Sequence, residues 1–378
     1  MILSLVFLVI FLIYLAFLAF ITFGWMRLPE FFNQQMVNDT KVSVVIAVRN
    51  EAMNMEVFLN NLVNQNYRSD LLEIILVNDH SEDTTQEIFN GFSSNYQGLF
   101  KLKFVTLTEK EGNGKKAALH AGIIASSGEL ILVTDADCKL KNTWVSTMAS
   151  CFEQYNPMMI LGPILMTNDG SFFGRMQSLE FLSLIASGAG SCKNNKPLLA
   201  NGANIAFTRK AYEDCSGYST NIQYPSGDDM FLMLGIKRKF GAEAIRFIRG
   251  AEALVETPAE TSWRAFWEQR KRWVSKSRGY KNSYVVFVSL IVFLTNCSLV
   301  LLGILGFASA YFAKEFFILY ALKLAADYPL LLSANKLLGR KRIFWLIPFM
   351  EILNAIYTSA IGIAGNFGKY SWKGRIHL

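Results

Sequence analysis

Charge is what this sequence has least of. Only 18% of its 378 residues are Asp, Glu, Lys or Arg, against about a quarter in an ordinary soluble protein. The deficit is local: Met1–Met26 carries no charged side chain, nor does Asn282–Ala313, and about 20 apolar residues suffice to span a bilayer. With 52% hydrophobic residues and a mean hydropathy of +0.26, this excludes a fully soluble enzyme and a disordered chain. The N-terminal run lacks the basic flank and small-residue cleavage site of a signal peptide, and so reads as a retained anchor. Five cysteines without any C-x-x-C argue against a zinc knuckle and a disulfide framework, and fit a main domain in a reducing, cytoplasmic setting. No G-x-G-x-x-G follows the first strand-like run, which argues against dinucleotide binding. Gly112-Asn113-Gly114-Lys115-Lys116 is not a Walker A: Glu109 stands where the leading Gly should be, and Lys116 where Ser or Thr should be.

The positive charge is concentrated instead. Glu260–Asn282 holds seven Lys or Arg against two Glu, interleaved with Trp263, Phe266, Trp267, Trp273 and Tyr280. Basic plus aromatic character suits nucleic acid as well as membrane. Because the stretch runs straight into an uncharged segment, an interfacial helix on an anionic inner leaflet is favoured and nucleic acid is not expected as a partner. The same cluster orients residues 30–281 toward the cytoplasm.

Between the anchors, apolar runs at Val42–Val48, Glu73–Val77, Leu102–Leu107 and Leu130–Val133 recur with helix-like intervals. That spacing predicts parallel strands joined by crossover helices, an α/β domain whose ligand binds beyond the strand carboxyl ends. Three of those ends are polar: Arg49-Asn50-Glu51, Asn78-Asp79-His80-Ser81 and Asp135-Ala136-Asp137. Asp135 and Asp137, one residue apart at a strand end, can offer oxygens to one hard divalent cation, Mg2+ or Mn2+, although an acidic turn there is common without one. Lys115, opening a helix on the same rim, is a candidate nucleotide contact.

The ordered set VSVVIAVRNE, ILVNDHSEDTT, GNGKKAALHAGI, ILVTDADC, NGANIAFTRKAY, SGDDMFL and QRKRW resembles the family-2 glycosyltransferases over roughly residues 40–281. The flanking apolar segments resemble the membrane-bound branch near ceramide and hopanoid glucosyltransferases. The resemblance implies a GT-A fold (Rossmann-like, mostly parallel), a nucleotide-sugar donor, usually a UDP-sugar, and inversion at the anomeric carbon. It implies donor contacts at Glu51, Asp79, Asp135 and Asp137, with Asp137 the metal ligand. The usual V-D-D-G-S is here Val77-Asn78-Asp79-His80-Ser81, so Asn and His replace an Asp and a Gly. Local sequence alone makes Asp79 equally an N-cap. Gly202 and Asn204 match a loop lining the acceptor site. Asp229 matches the general base, its neighbour Asp228 pointing another way on the helix. In Q-x-x-R-W, Gln269, Arg272 and Trp273 share one helix face: Arg272 to neutralise the leaving diphosphate, Gln269 and Trp273 to meet the acceptor, with Arg270 and Lys271 directed elsewhere.

These readings predict an anchor at 1–26, a GT-A domain at 38–258, an interfacial helix at 259–282 and a C-terminal membrane region at 283–378 with two to three helices and a basic tail. The expected protein is integral to the membrane, the cytoplasmic membrane if bacterial, and acts on a lipid or other membrane-associated acceptor. A processive polysaccharide synthase and an inactive nucleotide-binding scaffold are the alternatives. The expected anchors are 1–25, 283–313 and 316–338. Pro348, Glu351 and Asn354 suit a re-entrant or interfacial helix over Ile343–Phe367. Placing Arg340-Lys341-Arg342 and the tail residues Lys369, Lys373 and Arg375 together in the cytoplasm requires that this last stretch not cross.

Overall fold

The computed structural model describes residues 2–32, 39–96, 98, 100–108, 111–217, 227–337, 346–365, 370–372 and 375–377. The Arg340-Lys341-Arg342 cluster, Lys369 and Lys373 lie outside the described residues. The first elements are α1 (Ile2–Arg27), β1 (Val42–Val48), α2 (Ala52–Val63), β2 (Leu72–Asn78), α3 (Thr85–Asn95), β3 (Lys101–Thr106), α4 (Lys115–Ile124) and β4 (Leu130–Val133). Next come β5 (Lys139–Leu140), α5 (Trp144–Tyr155), β6 (Met159–Leu161), β7 (Ile164–Thr167), α6 (Phe172–Lys193), β8 (Ile205–Thr208), α7 (Arg209–Asp214) and α8 (Asp228–Phe240). Then follow β9 (Ile245–Phe247), β10 (Val255–Pro258), α9 (Trp263–Ser275), α10 (Ser283–Gly306), α11 (Ala310–Leu337), α12 (Ile347–Ala364), β11 (Tyr370–Trp372) and β12 (Arg375–His377).

They form two compact units. One, Pro29–Thr167 with Leu199–Pro258, is built on a seven-stranded sheet of order β3-β2-β1-β4-β8-β6-β9. β1, β2, β3 and β4 are mutually parallel, and β8 alone runs against its neighbours β4 and β6. Val-, Ile- and Leu-rich β1, β2 and β4 are buried on both faces, as an interior parallel strand requires. β3 closes the edge with Lys101 and Lys103 exposed, the charges that discourage further strand pairing. One acid sits inside this sheet. Glu73 on β2 accepts from Ser43 Oγ at 2.6 Å and lies 3.2 Å from Lys103 Nζ. Burial would raise its pKa, but hydrogen bonds from Ser43, Ser127 and Lys103 override that and hold it at about 2. A small second sheet, β5-β10-β7, completes the unit.

The other unit, Met1–Leu28, Asn168–Leu198 and Ala259–Leu378, is helical apart from the β11–β12 hairpin. Four of its helices, α1, α10, α12 and Ala310–Asn335 of α11, are long and apolar enough to cross a membrane. α6, inside the stretch that sequence placed wholly in the GT-A domain, groups here. It crosses α1 where a Cβ on Gly24 would lie 2.1 Å from the Gly190 carbonyl oxygen and one on Gly190 2.2 Å from that of Ile21, so only glycines allow the contact. The segment expected to run as one anchor to residue 313 breaks earlier. α10 stops at Gly306 and α11 starts at Ala310, with a Cβ on Gly306 3.1 Å from Ala313 Cα, a tight approach that a side chain here would have to push back by a few tenths of an ångström. Lys323 and Asp327, at helical spacing, do pair at 2.6 Å, and Lys323 also meets Glu351 while Tyr14 donates to Asp327 at 2.6 Å. These residues are buried and tie α1, α11 and α12 together.

Candidate functional site

Because β1, β2 and β4 are parallel, their carboxyl ends open on one rim of the sheet unit. Both β1 and β2 leave the sheet through left-handed residues, Asn50 (φ 52°) and His80 (φ 52°). The second explains the departure noted above: His80 stands where the related motif has Gly and retains the glycine-type backbone. Arg49, buried, fixes the β2 exit by donating to the carbonyls of Asp79 (2.8 Å) and His80 (2.6 Å) and to Glu82 (2.8 Å). Glu51 is buried at the start of α2, accepting from Asn54 at 3.2 Å. Asp79 does not cap the following helix, where the residue in the capping position is Thr84. Its Oδ1 accepts the Gly114 N–H at 3.0 Å, tying β2 to the start of α4. Gly114 (φ 93°) permits the turn that begins the helix at Lys115.

Lys115 is the hub of the rim. Its ammonium is ion-paired with Asp135 Oδ1. Burial alone would lower its pKa, but the charges of Asp135, Asp228 and Asp229 reverse that and raise it above the ordinary lysine value. Gly202 fills the middle of this group: a Cβ there would lie 3.1 Å from Lys115 Nζ, 3.7 Å from Asp229 Oδ2 and 3.8 Å from Asp228 Oδ2. Its N–H donates to Asp229 Oδ2 at 3.0 Å, and Asp229 Oδ1 accepts the Met230 N–H at 2.7 Å. Both carboxylates open α8, after Gly227 (φ 93°), where a helix N-terminus favours negative charge. The sequence reading left Asp228 aside as pointing elsewhere, whereas both Oδ2 atoms converge on Gly202.

Beside this group, ligand atoms of Asp135, Asp137 and Cys138 lie within 4.8 Å of one another, with Asp137 exposed and Cys138 buried. Burial pushes the Cys138 thiol well above its ordinary pKa, and the two carboxylates add to the shift. The two carboxylates are hard oxygen donors of the kind that Mg2+ or Mn2+ takes.

Asn204 departs from expectation. Its side chain is buried, accepting from Trp144 Nε1 at 2.9 Å and donating to the carbonyls of Pro163 and Ala253, each at 2.8 Å. With both amide protons so engaged, it braces the 201–204 loop and offers the acceptor no donor. Gly162 makes room for it, since a Cβ there would lie 2.2 Å from Asn204 Nδ2.

Gln269, Arg272 and Trp273 belong to the helical unit, on α9. Gln269 donates to Glu260 Oε1 at 2.6 Å and accepts from Arg270. Trp273 packs on Phe181 at 6.0 Å between ring centroids. Arg270, which sequence directed away from the face of Gln269, Arg272 and Trp273, is buried and ion-paired with Glu180. A lone acid in the apolar run Phe181-Leu182-Ser183-Leu184-Ile185 and its preceding Leu179 was the available signal for this pair.

Two overlapping family models match the chain: Glycosyl transferase family 2 over residues 43–216 and Glycosyl transferase family group 2 over residues 130–350. The chain is 30% identical over 266 residues to the probable glycosyltransferase YdaM of Bacillus subtilis (strain 168), covering 69% of this chain and 60% of that protein. It is 28% identical over 188 residues to the poly-beta-1,6-N-acetyl-D-glucosamine synthase of Staphylococcus epidermidis (strain ATCC 35984), covering 48% and 42%. It thus spans less than two thirds of the length of either relative. Among solved structures, the mannosyltransferase PcManGT of Pyrobaculum calidifontis, in complex with GDP-Man and Mn2+, matches 96% of both chains with a TM-score of 0.60 at 16% identity. The sheet unit accordingly has the GT-A fold, with apolar helices on both sides of it in sequence. The chain belongs to glycosyl transferase family group 2.

Proposed function

We propose that the chain transfers a sugar from a nucleotide-sugar, a UDP-sugar in the first instance, to a hydroxyl of a membrane-associated lipid acceptor, with inversion. The observation that carries this reading is the convergence of Lys115, Asp135, Asp228 and Asp229 around Gly202, next to the Asp137 carboxylate. In an attack on an anomeric carbon, an ionised carboxylate must accept the proton of the acceptor. Asp229, oriented by the Gly202 and Met230 N–H groups, is assigned that part. Lys115 and Asp135 bind the nucleotide end of the donor, with Glu51 and Asp79 shaping the nucleoside pocket. Gly202 leaves space where a side chain would obstruct the donor. A divalent cation held by Asp137 with Asp135 would supply charge neutralisation for the diphosphate; the complex of PcManGT with GDP-Man and Mn2+ supports including both in the trials. Arg272 and Trp273 keep the roles of their motif, neutralising the leaving group and presenting a flat surface to the acceptor. The four apolar helices support an integral membrane protein, and the basic α9 segment supports a cytoplasmic active site.

A second reading, repeated addition to a growing polysaccharide, is favoured by the likeness to the Staphylococcus epidermidis synthase. The deciding experiment supplies UDP-glucose, UDP-N-acetylglucosamine or GDP-mannose to the full chain in phospholipid vesicles containing diacylglycerol or ceramide, and follows nucleoside diphosphate release and product size. Lipid-dependent release with one sugar per product supports the proposal. Release into products of increasing length supports the synthase, and no release above an Asp229→Asn control with any donor overturns both.

A further inference from the structure

Arg270 stands at a position that the Q-x-x-R-W pattern leaves unspecified, yet it is only 2% exposed. Its Nε lies 3.1 and 3.2 Å from the two Glu180 carboxylate oxygens, and its Nη2 also donates to Glu180. Glu180, on α6, accepts a further hydrogen bond from the Tyr357 hydroxyl of α12. Nη1 donates to Gln269, whose amide holds Glu260, and the Glu260 backbone exchanges two hydrogen bonds with Gln177 of α6 at 2.9 and 3.0 Å. The guanidinium carbon lies 4.4 Å from the Phe266 ring centroid and 4.2 Å from that of Trp273. These rings stand four residues before and three after Arg270, the helical neighbours on its own face.

A buried ion pair is a poor source of stability compared with apolar residues of the same volume, whereas its fixed fork geometry holds neighbours in one orientation. We propose that Arg270, Glu180 and Tyr357 are positioning residues for the acceptor face of α9: the Glu180 carboxylate and the Tyr357 hydroxyl fix the guanidinium plane, and the guanidinium fixes the Trp273 ring. The acceptor platform is thereby set by the seating of α12. This rests on the reading of Trp273 as an acceptor contact, and adds residues from two further helices to it.

The test uses the full chain carrying 5-fluorotryptophan at its seven tryptophans, with the Trp273 fluorine resonance assigned by Trp273→Phe. Tyr357→Phe and Arg270→Lys are expected to shift or broaden that resonance while the other six stay in place. In vesicles bearing the acceptor used above, both variants are expected to raise the acceptor KM about tenfold with the nucleotide-sugar KM within about twofold, the pattern of a lost acceptor-side contact. Should Arg270→Lys fail to fold, Glu180→Gln combined with Arg270→Gln, which buries no lone charge, takes its place. An unmoved Trp273 resonance, or a fall in kcat with both KM values unchanged, would overturn the proposal. A wild type that transfers nothing overturns the functional reading, and the fluorine resonance then decides the positioning claim alone.

Discussion

Replacing Asp229 by Asn tests the base assignment, and the structure shows the exchange to be more than the removal of a charge. Each Asp229 oxygen accepts a backbone N–H, Oδ2 from Gly202 at 3.0 Å and Oδ1 from Met230 at 2.7 Å. An amide has one oxygen, so one of those donors must face an NH2 group and lose its partner. A hydrogen bond to a charged group contributes about 1.5–3 kcal/mol, and the loss of negative charge in the first turn of α8 adds about 0.3–1 kcal/mol. Asp229→Asn should therefore unfold at lower denaturant as well as lose transfer. The catalytic effect should be the larger in rate terms, since a general base contributes roughly 100- to 10,000-fold, or about 3–5 kcal/mol in the barrier. Nucleotide-sugar affinity, measured by equilibrium binding below the unfolding transition, should stay within about threefold, because Lys115 keeps its ion pair with Asp135 and the charge of Asp228 beside it. Turnover within tenfold of wild type would refute the base assignment. An affinity loss as large as the loss of turnover would reassign Asp229 to donor binding.

Asp137→Ala should abolish the stimulation of donor binding by Mn2+ or Mg2+, which titration of UDP-glucose with and without EDTA measures; a wild-type affinity indifferent to EDTA would end the metal assignment. Glu73→Gln probes the sheet. Because the folded pKa of about 2 lies below the ordinary 4.5, the ionised acid stabilises the fold above about pH 4.5, by roughly 3 kcal/mol as an upper figure, and that contribution fades as pH falls toward 2. The variant should thus be less stable at pH 7, with the difference shrinking in acid-unfolding curves; an equal deficit at every pH would contradict the ionised role. Leu378→Cys should resist a membrane-impermeant thiol reagent in intact cells. α12 runs beside α9, with Phe266 in one apolar cluster with Ile347 and Met350 and 5.3 Å from the Tyr357 ring, and Gly365 against Val274; β11 also lies against α9. With α9 proposed as an interfacial helix, this pairing supports a C-terminus on the cytoplasmic side, and efficient labelling would favour an α12 that crosses instead.

The parallel strands were legible because β1, β2 and β4 are buried on both faces and therefore read as apolar runs interrupted only by Ser43 in β1 and by Glu73 and the terminal Asn78 in β2. So was the acidic rim, since strand ends place their residues at one edge of a parallel sheet. What escaped were facts that depend on partners distant in sequence. Asn204 reads as a loop residue until Trp144, Pro163 and Ala253 are seen to enclose it. Asp228 and Asp229 diverge on an ideal helix, but both approach Gly202 because the 201–204 loop lies over the first turn of α8. Arg270 sits in a basic stretch that looks solvated, and its partner Glu180 is 90 residues away. α6 was hidden by its small residues, whose Gly and Ser content lowers hydropathy while allowing close packing on α1.

The central claim is transfer of a sugar from a nucleotide to a lipid, and the most direct measurement follows the sugar itself. The full chain in vesicles of acceptor lipid is given a nucleotide-sugar radiolabelled in the sugar, and organic-extractable label is counted against time for wild type and for Asp229→Asn. The account predicts label entering the organic phase as a discrete glycolipid with wild type alone. Label that remains aqueous with every donor and acceptor, or that enters the lipid equally with the variant, would contradict it.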